Sequence, residues 1–448
     1  MTSPSPSRAH DEDGAATVGT DSTAAADTPG TPAPPAPPGT PGTPGTPTAP
    51  TAPTTGKRRR RNRVITVLAS VVGALAVLVT VLMTVPVPTS ATALATLAAD
   101  ALHEGTLIAV LVCAVLAVVA RRRRARAATL IAGASAVLMA VMTAVPAVAL
   151  MREADRQHVD VSIGRFLTHG LVQDNGRPKG AETLTYGTAG STELKLEHIP
   201  GQGPARNPGG TRPAVIYVHG GGWKIGERSD GYPWSKWFAE RGYAAFTIDY
   251  RLLPHADWQT GPGDVKAAVG YVRDNAARFG VDPSDITLFG ESAGGHLAMM
   301  AGYTDGDPMF PPTNPHADTS VRRVINFYGT TDLDDVSAHS TAPNIVRQVT
   351  REFMGGTKEQ RPEAWNASSP LHHVRPGLPA TLSVHGADDR LIAPSQLRLL
   401  DRALADAGVP HRSVELPWTS HLFDLTRGNL TTQIAEGLIQ QFDRQTAR

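Results

Sequence analysis

A serine between two glycines, at residues 290–294, constrains the fold of this chain more than any other feature. The run Gly-Glu-Ser-Ala-Gly follows directly on the apolar residues 286–289, a pattern that indicates a buried strand. The spacing suits a sharp strand-to-helix turn, with the serine at its apex in a strained conformation and glycines where the neighbouring chain leaves no room. Chance alone supplies such a pattern about 0.3 times in a chain of this length, so its meaning depends on the other motifs.

Three consecutive glycines, residues 220–222, follow a second apolar run at residues 214–218. A glycine triplet exposes backbone N–H groups, and fixed donors aimed at a developing oxyanion each lower a reaction barrier by about 3 kcal/mol. We expect the amides of Gly221 and Gly222, together with that of Ala293 after the serine, to form such an oxyanion hole. A flexible turn is the alternative interpretation of the triplet taken alone.

Two further predicted strands end in polar side chains. Residues 379–384 lead into a His-Gly-Ala-Asp-Asp-Arg segment at 385–390, and the short strand 413–417 is followed by a loop that contains His421. The chain order is therefore serine, acid, histidine, which is the order found in α/β-hydrolases and differs from the orders of two other serine hydrolase folds.

These segments together resemble the hormone-sensitive-lipase-like and related carboxylesterase branch of the α/β-hydrolases. The resemblance covers roughly residues 180–445. It rests on His219 to Trp223, Asp249 to Leu252, Gly290 to Gly294, Ser369 to Leu371, His385 to Asp389, and His421.

The resemblance implies a role for each member of a catalytic triad. Ser292 is the expected nucleophile, His421 the general base and then general acid, and Asp389 the acid that orients the imidazole. Asp389 is preferred because the acid of this family lies four residues after the histidine at the strand end. The neighbouring Asp388 remains the alternative. His219 and His296 are expected to brace the turns by hydrogen bonds, and Asp249 and Arg251 to form an ion pair with each other.

The implied activity is hydrolysis of a small-molecule or lipid carboxylic ester through an acyl-enzyme. An amidase, formamidase or small-peptide hydrolase would use the same triad, and a non-catalytic membrane scaffold on a hydrolase fold is a more distant alternative. We expect no metal and no cofactor, because the sequence has no zinc-type spacing, P-loop or dinucleotide fingerprint. The sequence does not indicate an oligomeric state.

The predicted fold class is α/β, with a mostly parallel sheet of about eight strands covered by helices on both faces. The strands are predicted at 183–186, 194–199, 214–218, 244–248, 286–289, 324–327, 381–384 and 413–416, the first two as an antiparallel pair. Helical stretches at 264–278, 293–301, 395–407 and 431–442 alternate with them. The resemblance implies that residues 329–369 form a small cap. The catalytic domain is expected over residues 180–448.

The first 151 residues differ in composition from the hydrolase. Residues 1–56 are rich in Pro, Thr and Ala and predict a disordered tail. Residues 57–151 form the predicted membrane region, with spans at 64–85, 105–120 and 127–151. A juxtamembrane connector is expected over 152–179, with an amphipathic helix around 159–172.

The arginine-rich runs at 57–63 and 121–124 flank these spans. By the positive-inside rule both runs and the N-terminus face the cytoplasm, so the catalytic domain of this multi-pass membrane protein is extracytoplasmic. A signal peptide cut after residues 91–93 is the alternative and leaves the catalytic domain on the same side of the membrane.

No nucleic-acid partner is expected, because residues 152–448 have a small excess of acidic side chains. Of the 42 Lys and Arg, 12 lie before residue 152, as do 7 of the 41 Asp and Glu, so residues 152–448 contain 30 basic and 34 acidic residues. The only cysteine, Cys113, lies in the second span.

Overall fold

Three apolar helices form the first part of the described structure. The computed structural model describes residues 55–84, 105–169, 174–205, 207, 209–340 and 342–447. The helices are α1 (Thr55–Thr84), α2 (Gly105–Arg122) and α3 (Arg126–Arg156). Of the tail predicted over residues 1–56, only the last two residues are described, and they belong to α1. The proposed signal-peptide cleavage site lies outside the described residues.

Two of these helices have the length and composition needed to cross a membrane. They are Gly56–Leu82 within α1 and the whole of α3. The predicted span 105–120 coincides with α2, whose 18 residues rise about 27 Å, slightly less than a hydrocarbon core of about 30 Å. A membrane region with three spans therefore stays a prediction.

The three helices pack on one another through small side chains. Ala69 of α1 is fully buried in a cluster with Ala128 and Ala132 of α3. A Cβ added at Gly73 would lie 3.0 Å from the side chain of Ile131. Because small residues allow helix backbones to approach closely, this pattern is typical of helix contacts within a bilayer.

We call the predicted catalytic domain, residues 180–448, the hydrolase region. Its described residues form one eight-stranded sheet, in agreement with the predicted fold class. Its order is β1-β2-β4-β3-β5-β6-β7-β8. The strand β2 pairs antiparallel with both β1 and β4, and the pairs from β4 to β8 are parallel. The strands are β1 (Glu182–Ala189), β2 (Thr192–Ile199), β3 (Arg212–Val218), β4 (Ala244–Ile248), β5 (Val281–Glu291), β6 (Arg323–Phe327), β7 (Ala380–Gly386) and β8 (His411–Leu416).

Helices cover both faces of this sheet. Alternate residues of β3 enter two separate core clusters, Ile216 in one and Val215 in the other, because successive strand side chains point to opposite faces. The helix predicted over 264–278 is interrupted at Asn275. The helices are α4 (Ile163–His169), α5 (Tyr232–Glu240), α6 (Thr260–Asp274), α7 (Ala276–Phe279), α8 (Ala293–Tyr303), α9 (Leu333–His339), α10 (Pro343–Met354), α11 (Pro362–Ala367), α12 (Ser395–Asp406) and α13 (Leu430–Thr446), with 3₁₀ turns at Arg228–Gly231 and Pro370–His373.

The end of α3 is part of the hydrolase core. Leu150 and Ala154 are buried in the same cluster as Ile434 and Leu438 of α13. The connector continues this contact, because Arg165 of α4 donates hydrogen bonds of 2.6 and 2.7 Å to the buried carboxylate of Glu436. The last apolar helix and the hydrolase region are therefore joined by packing as well as by the chain.

Leu150→Ala tests this shared core. Removing a buried leucine side chain lowers the free energy of unfolding by about 2–5 kcal/mol, so we expect the tryptophan fluorescence of the hydrolase region to report unfolding at lower denaturant concentration. The matched control is Val148→Ala on the same helix, where the side chain is 40% exposed and the expected change is within about 0.5 kcal/mol. Equal effects of the two substitutions, measured in detergent, would contradict the shared core.

Candidate active site

Ser292 lies at the apex of the turn between β5 and α8. Its backbone has φ 52° and ψ −120°, a left-handed conformation that is strained for a residue with a Cβ. The Ser292 amide donates a hydrogen bond of 2.9 Å to the carbonyl of Phe327 on β6. The flanking glycines are required sterically: a Cβ at Gly290 would lie 2.2 Å from the carbonyl oxygen of Gly294, and one at Gly294 would lie 2.0 Å from that of Val218.

A chain of hydrogen bonds joins Ser292, His421 and Asp389. The Nε2 atom of His421 lies 3.0 Å from the Oγ of Ser292. Its Nδ1 lies 2.7 Å from Oδ2 of Asp389. An ionised carboxylate can only accept, so Nδ1–H donates to Asp389 and Nε2 is free to accept the serine proton. This geometry is what proton removal from a serine hydroxyl requires.

Asp389 is held as a carboxylate. Its Oδ1 accepts hydrogen bonds of 2.9 Å from the amides of Leu391 and Ile392, and His385 lies 3.2 Å from Oδ2. Burial opposes ionisation, but the charge of His421 and the hydrogen bonds from His385 and His421 outweigh it and keep the pKa of Asp389 below its ordinary value. The alternative, Asp388, is not the hydrogen-bond partner of His421, and burial raises its pKa.

The three expected oxyanion donors lie in two segments beside Ser292. Gly221 and Gly222 have positive φ angles of 111° and 60°, and a side chain at Gly221 would overlap the carbonyl of Ile225. A Cβ at Gly220 would lie 3.4 Å from the Cβ of Ser292, so the glycine loop lies directly against the serine. Ala293 is the first residue of α8, where backbone amides have no partner within the helix.

The segment predicted as a cap packs on the glycine loop. It comprises α9, α10 and α11. The rings of Trp223 and Phe353 stack with centroids 4.3 Å apart, and Lys224 forms an ion pair of 2.6 Å with Glu352. The position of α10 beside the loop is compatible with a cap, which stays a prediction.

His296 and His219 make bracing contacts, as expected. Nδ1 of His296 accepts a hydrogen bond of 3.3 Å from the indole of Trp223, and its Nε2–H donates to the carbonyl of Ser368 at 2.8 Å. His219 stacks on Tyr250, and its Nδ1 lies 2.7 Å from the carbonyl of Gly220. The expected ion pair between Asp249 and Arg251 is wrong: Asp249 pairs with Arg228, and Arg251 with Asp264.

A buried carboxyl pair behind the serine was not anticipated. Glu291 and Asp424, the latter in the loop after His421, border the same cavity and interact electrostatically. Burial and the charge of Asp424 raise the pKa of Glu291 well above its ordinary value. Tyr217 donates to Glu291 at 2.8 Å, and Tyr328 donates to Asp424 at 2.5 Å. The sequence shows that Glu291 lies within the Gly-x-Ser-x-Gly motif, but no sequence spacing indicates that it lies near Asp424.

Within the part of the chain that the structure describes, no group of three His, Cys, Asp or Glu side chains is placed to hold a metal ion. The expectation of hydrolysis without metal or cofactor stays a prediction. The groups that converge on Ser292 are an imidazole, a carboxylate and backbone amides, which together suit acyl transfer.

The bracing role of His296 predicts a pH effect on stability. Burial lowers the pKa of His296 to about 4, whereas an unfolded histidine titrates near about 6.5. Between these values the unfolded state binds more protons, so the free energy of unfolding falls as pH falls through this window, by on the order of 3 kcal/mol from this residue. His296→Gln can retain both hydrogen bonds and is expected to reduce the pH slope of urea unfolding by about one proton. The exposed His372, changed to Gln, is the control, and an equal slope change in both variants would contradict this assignment.

Comparison with known proteins shows similarity to esterases over about half of the chain. The family model BD-FAE matches residues 204–404. Esterase LipQ of Mycobacterium tuberculosis is 34% identical over 237 residues, covering 52% of this chain and 56% of that protein. Esterase LipC of the same organism is 35% identical over 229 residues, covering 50% of this chain and 57% of that protein. The chain thus spans little more than half the length of these curated relatives.

A solved structure supports this similarity at the level of the fold. Esterase 2 of Thermogutta terrifontis, phosphoramylated by tabun, aligns with a TM-score of 0.51 and 28% identity, covering 61% of this chain and 97% of that one. The described sheet, the turn at Ser292 and these relatives agree with one another. The hydrolase region therefore has the α/β-hydrolase fold, and over about half of its length the chain is similar to proteins named as esterases.

Proposed function

We propose that this chain is a membrane-anchored hydrolase of carboxylic esters that works through an acyl-enzyme on Ser292. The observation that carries the proposal is the pair of hydrogen bonds that links Ser292 to His421 at 3.0 Å and His421 to Asp389 at 2.7 Å. The similarity to LipQ and LipC, both named as esterases, supports an ester as the substrate.

In the first step, Ser292 Oγ attacks the ester carbonyl while Nε2 of His421 takes the hydroxyl proton. The carbonyl oxygen becomes an oxyanion, which the amides of Gly221, Gly222 and Ala293 stabilise. His421 then donates its proton to the departing alcohol, and the acyl-enzyme forms. In the second step, water attacks the acyl group with His421 again as base, and the acid product leaves. Asp389 keeps the imidazole in the tautomer with Nδ1–H and stabilises its charged form.

The apolar helices would tether this chemistry to a membrane. The basic runs at the start of α1 and between α2 and α3 would lie on the cytoplasmic side. With three spans, α3 then leads outward and ends at the hydrolase region, so ester cleavage would take place on the extracytoplasmic side.

Ser292→Ala is expected to lower turnover of p-nitrophenyl acetate by at least about 10³-fold, because it removes the attacking atom. A fluorophosphonate probe should label the unchanged protein at Ser292 and leave the variant unlabelled, while circular dichroism of the two remains the same. Turnover retained by a folded Ser292→Ala protein would refute the assignment.

Adjacent carboxyls allow a matched test of the acid. Asp389→Asn is expected to reduce kcat by about 10⁴-fold, because an amide favours the wrong imidazole tautomer. Asp388→Asn, one residue away, is expected to change kcat by less than about threefold, since it lacks the contact with His421. If the two variants lose activity equally, Asp389 does not have the proposed role.

The single cysteine makes the orientation testable. In a Cys113→Ala background, Ala405→Cys places a thiol at an exposed site of the hydrolase region, and Ala127→Cys places one at the start of α3. A membrane-impermeant maleimide added to intact spheroplasts should label the first site, and the second only after lysis. The reverse pattern would place the catalytic domain in the cytoplasm.

A further inference from the structure

Three exposed apolar side chains border the cavities beside the candidate active site. Among the described residues outside α1, α2 and α3, six large apolar side chains are exposed, and three of these line the two cavities next to the loop that carries His421. We call these three the apolar rim. They are Ile225, Trp418 and Leu425, between 40% and 69% exposed. Scattered single apolar residues are ordinary on a protein surface, whereas a group of this kind marks a contact with an apolar phase.

A narrow apolar cleft runs from α3 to the loop that carries His421. Three residues of α3 line it at helical spacing, so they lie on one face of that helix. His421 itself borders the cleft, which has a volume of about 70 Å³. The α3 residues are Thr143, Ala147 and Leu150, and they face Phe166 of the connector and Trp418 and Leu425 of the loops around His421.

The apolar part of α3 therefore contributes directly to the surroundings of His421. Thr143, Ala147 and Leu150 belong to the predicted span 127–151, near its outer end. A position there corresponds to the outer leaflet of the bilayer, since a helix rises about 1.5 Å per residue and only a few residues follow before the span ends. With α3 as the third span, the cleft would open at the depth of lipid acyl chains.

A second membrane helix contacts the opposite side of the triad. Arg390, the residue after Asp389, donates a hydrogen bond of 2.8 Å to the carbonyl of Leu82 in the last turn of α1. This bond uses a carbonyl that the helix end leaves without an intrahelical partner. Two contacts with the membrane helices, one near Asp389 and one near His421, fix how the site faces the bilayer.

A larger cavity lies beside the same His421 loop. Its volume is about 690 Å³, and Leu422 and Leu425 border both it and the cleft. Oxygen-rich side chains face it beside the glycine loop, which suits an alcohol with hydroxyl groups. Its lining includes Gly221, Ile225, Glu227, Asp230, Glu291 and Asp424.

We propose that the substrate is a lipid ester of the outer leaflet, which reaches Ser292 from the bilayer with its hydrocarbon chain in the cleft between α3 and the His421 loop. The inference rests on the proposed function and adds the substrate class and its direction of entry. The cleft is narrow and its accessible lining is mainly apolar, which suits a hydrocarbon chain. The apolar rim would lie against the lipid, where its side chains would not be exposed to water.

A second copy of the chain is the competing occupant of the apolar rim. The position of the rim favours lipid, because Trp418 and Leu425 line the same cleft as α3. Exposed side chains of that helix, among them Val145 and Val148, already require an apolar surround.

The test uses the full chain in phosphatidylcholine liposomes with two substrates. Release of oleate from 1-monooleoylglycerol in the bilayer measures the inference, and hydrolysis of p-nitrophenyl acetate in the aqueous phase measures the proposed function. Both rates are divided by the number of serines that react with a fluorophosphonate probe. This division removes differences between variants in the amount of protein and in the folded fraction. The informative quantity is the ratio of the two rates.

Leu425→Asp and Ile225→Asp place a charge on the apolar rim and are expected to lower this ratio by at least about tenfold, because a charge opposes contact with lipid. Met309→Asp is the matched control: its side chain is 47% exposed, and the ratio should stay within about twofold of the original value. Equal ratios in the rim and control variants would overturn the inference.

Two further outcomes separate the inference from the proposed function. If the unchanged protein hydrolyses the acetate and releases no oleate, the bilayer is not the source of the substrate and the proposed function stands. If it neither hydrolyses the acetate nor reacts with the probe, the proposed function itself fails. A rim variant that converts a dimer to a monomer on size-exclusion chromatography, with an unchanged ratio, would assign the rim to a contact between copies and overturn the inference.

Discussion

The left-handed backbone of Ser292 is the constraint on which the rest of the site depends. Such a conformation costs on the order of 1–3 kcal/mol and persists only where its surroundings enforce it. Here the enforcement comes from the bond between the Ser292 amide and Phe327, and from the absence of side chains at Gly290 and Gly294. Four other non-glycine residues with positive φ surround the serine. They are Trp223, Tyr328, Trp418 and Leu422. Strain is thus concentrated in the loops that meet at the carboxyl edge of the parallel strands, where α/β sheets bind their ligands.

The sequence was sufficient for the sheet and for much of the arrangement around Ser292. Short apolar runs located all eight strands, because buried parallel strands appear in the sequence as continuous apolar segments. The choice of Asp389 over Asp388 came from the family resemblance, and the hydrogen bond to His421 agrees with it. Ion pairs were harder to predict from the sequence. Asp249 pairs with Arg228, and Arg251 pairs with Asp264. Folding brings each of these partners close, and no local sequence spacing indicates either pair.

The carboxyl pair of Glu291 and Asp424 shows why such contacts escape a reading of the sequence. An acidic residue in a pattern is ordinarily taken as solvated, and only the tertiary structure places these two together beneath Tyr217 and Tyr328. The raised pKa of Glu291 limits the repulsion between the two carboxyl groups. Tyr217 ties the residue before the serine to β3, and Tyr328 ties the loop after His421 to the end of β6, so the two sides of the site are held by more than the catalytic hydrogen bond.

The connection between α3 and the hydrolase region determines how an anchored enzyme would meet its substrate. A flexible linker would let the catalytic domain sample many orientations, and the tether would then raise only the local concentration of enzyme at the membrane. In this chain Leu150 and Ala154 are core residues, Ser162 donates to Gln433 at 2.7 Å, and Arg165 pairs with Glu436. The orientation of the hydrolase region is therefore set by the same helix that would enter the bilayer. A catalytic site held in one orientation favours a substrate that is also oriented, such as a lipid in a bilayer. Because both are already oriented, less orientational entropy is lost when they bind.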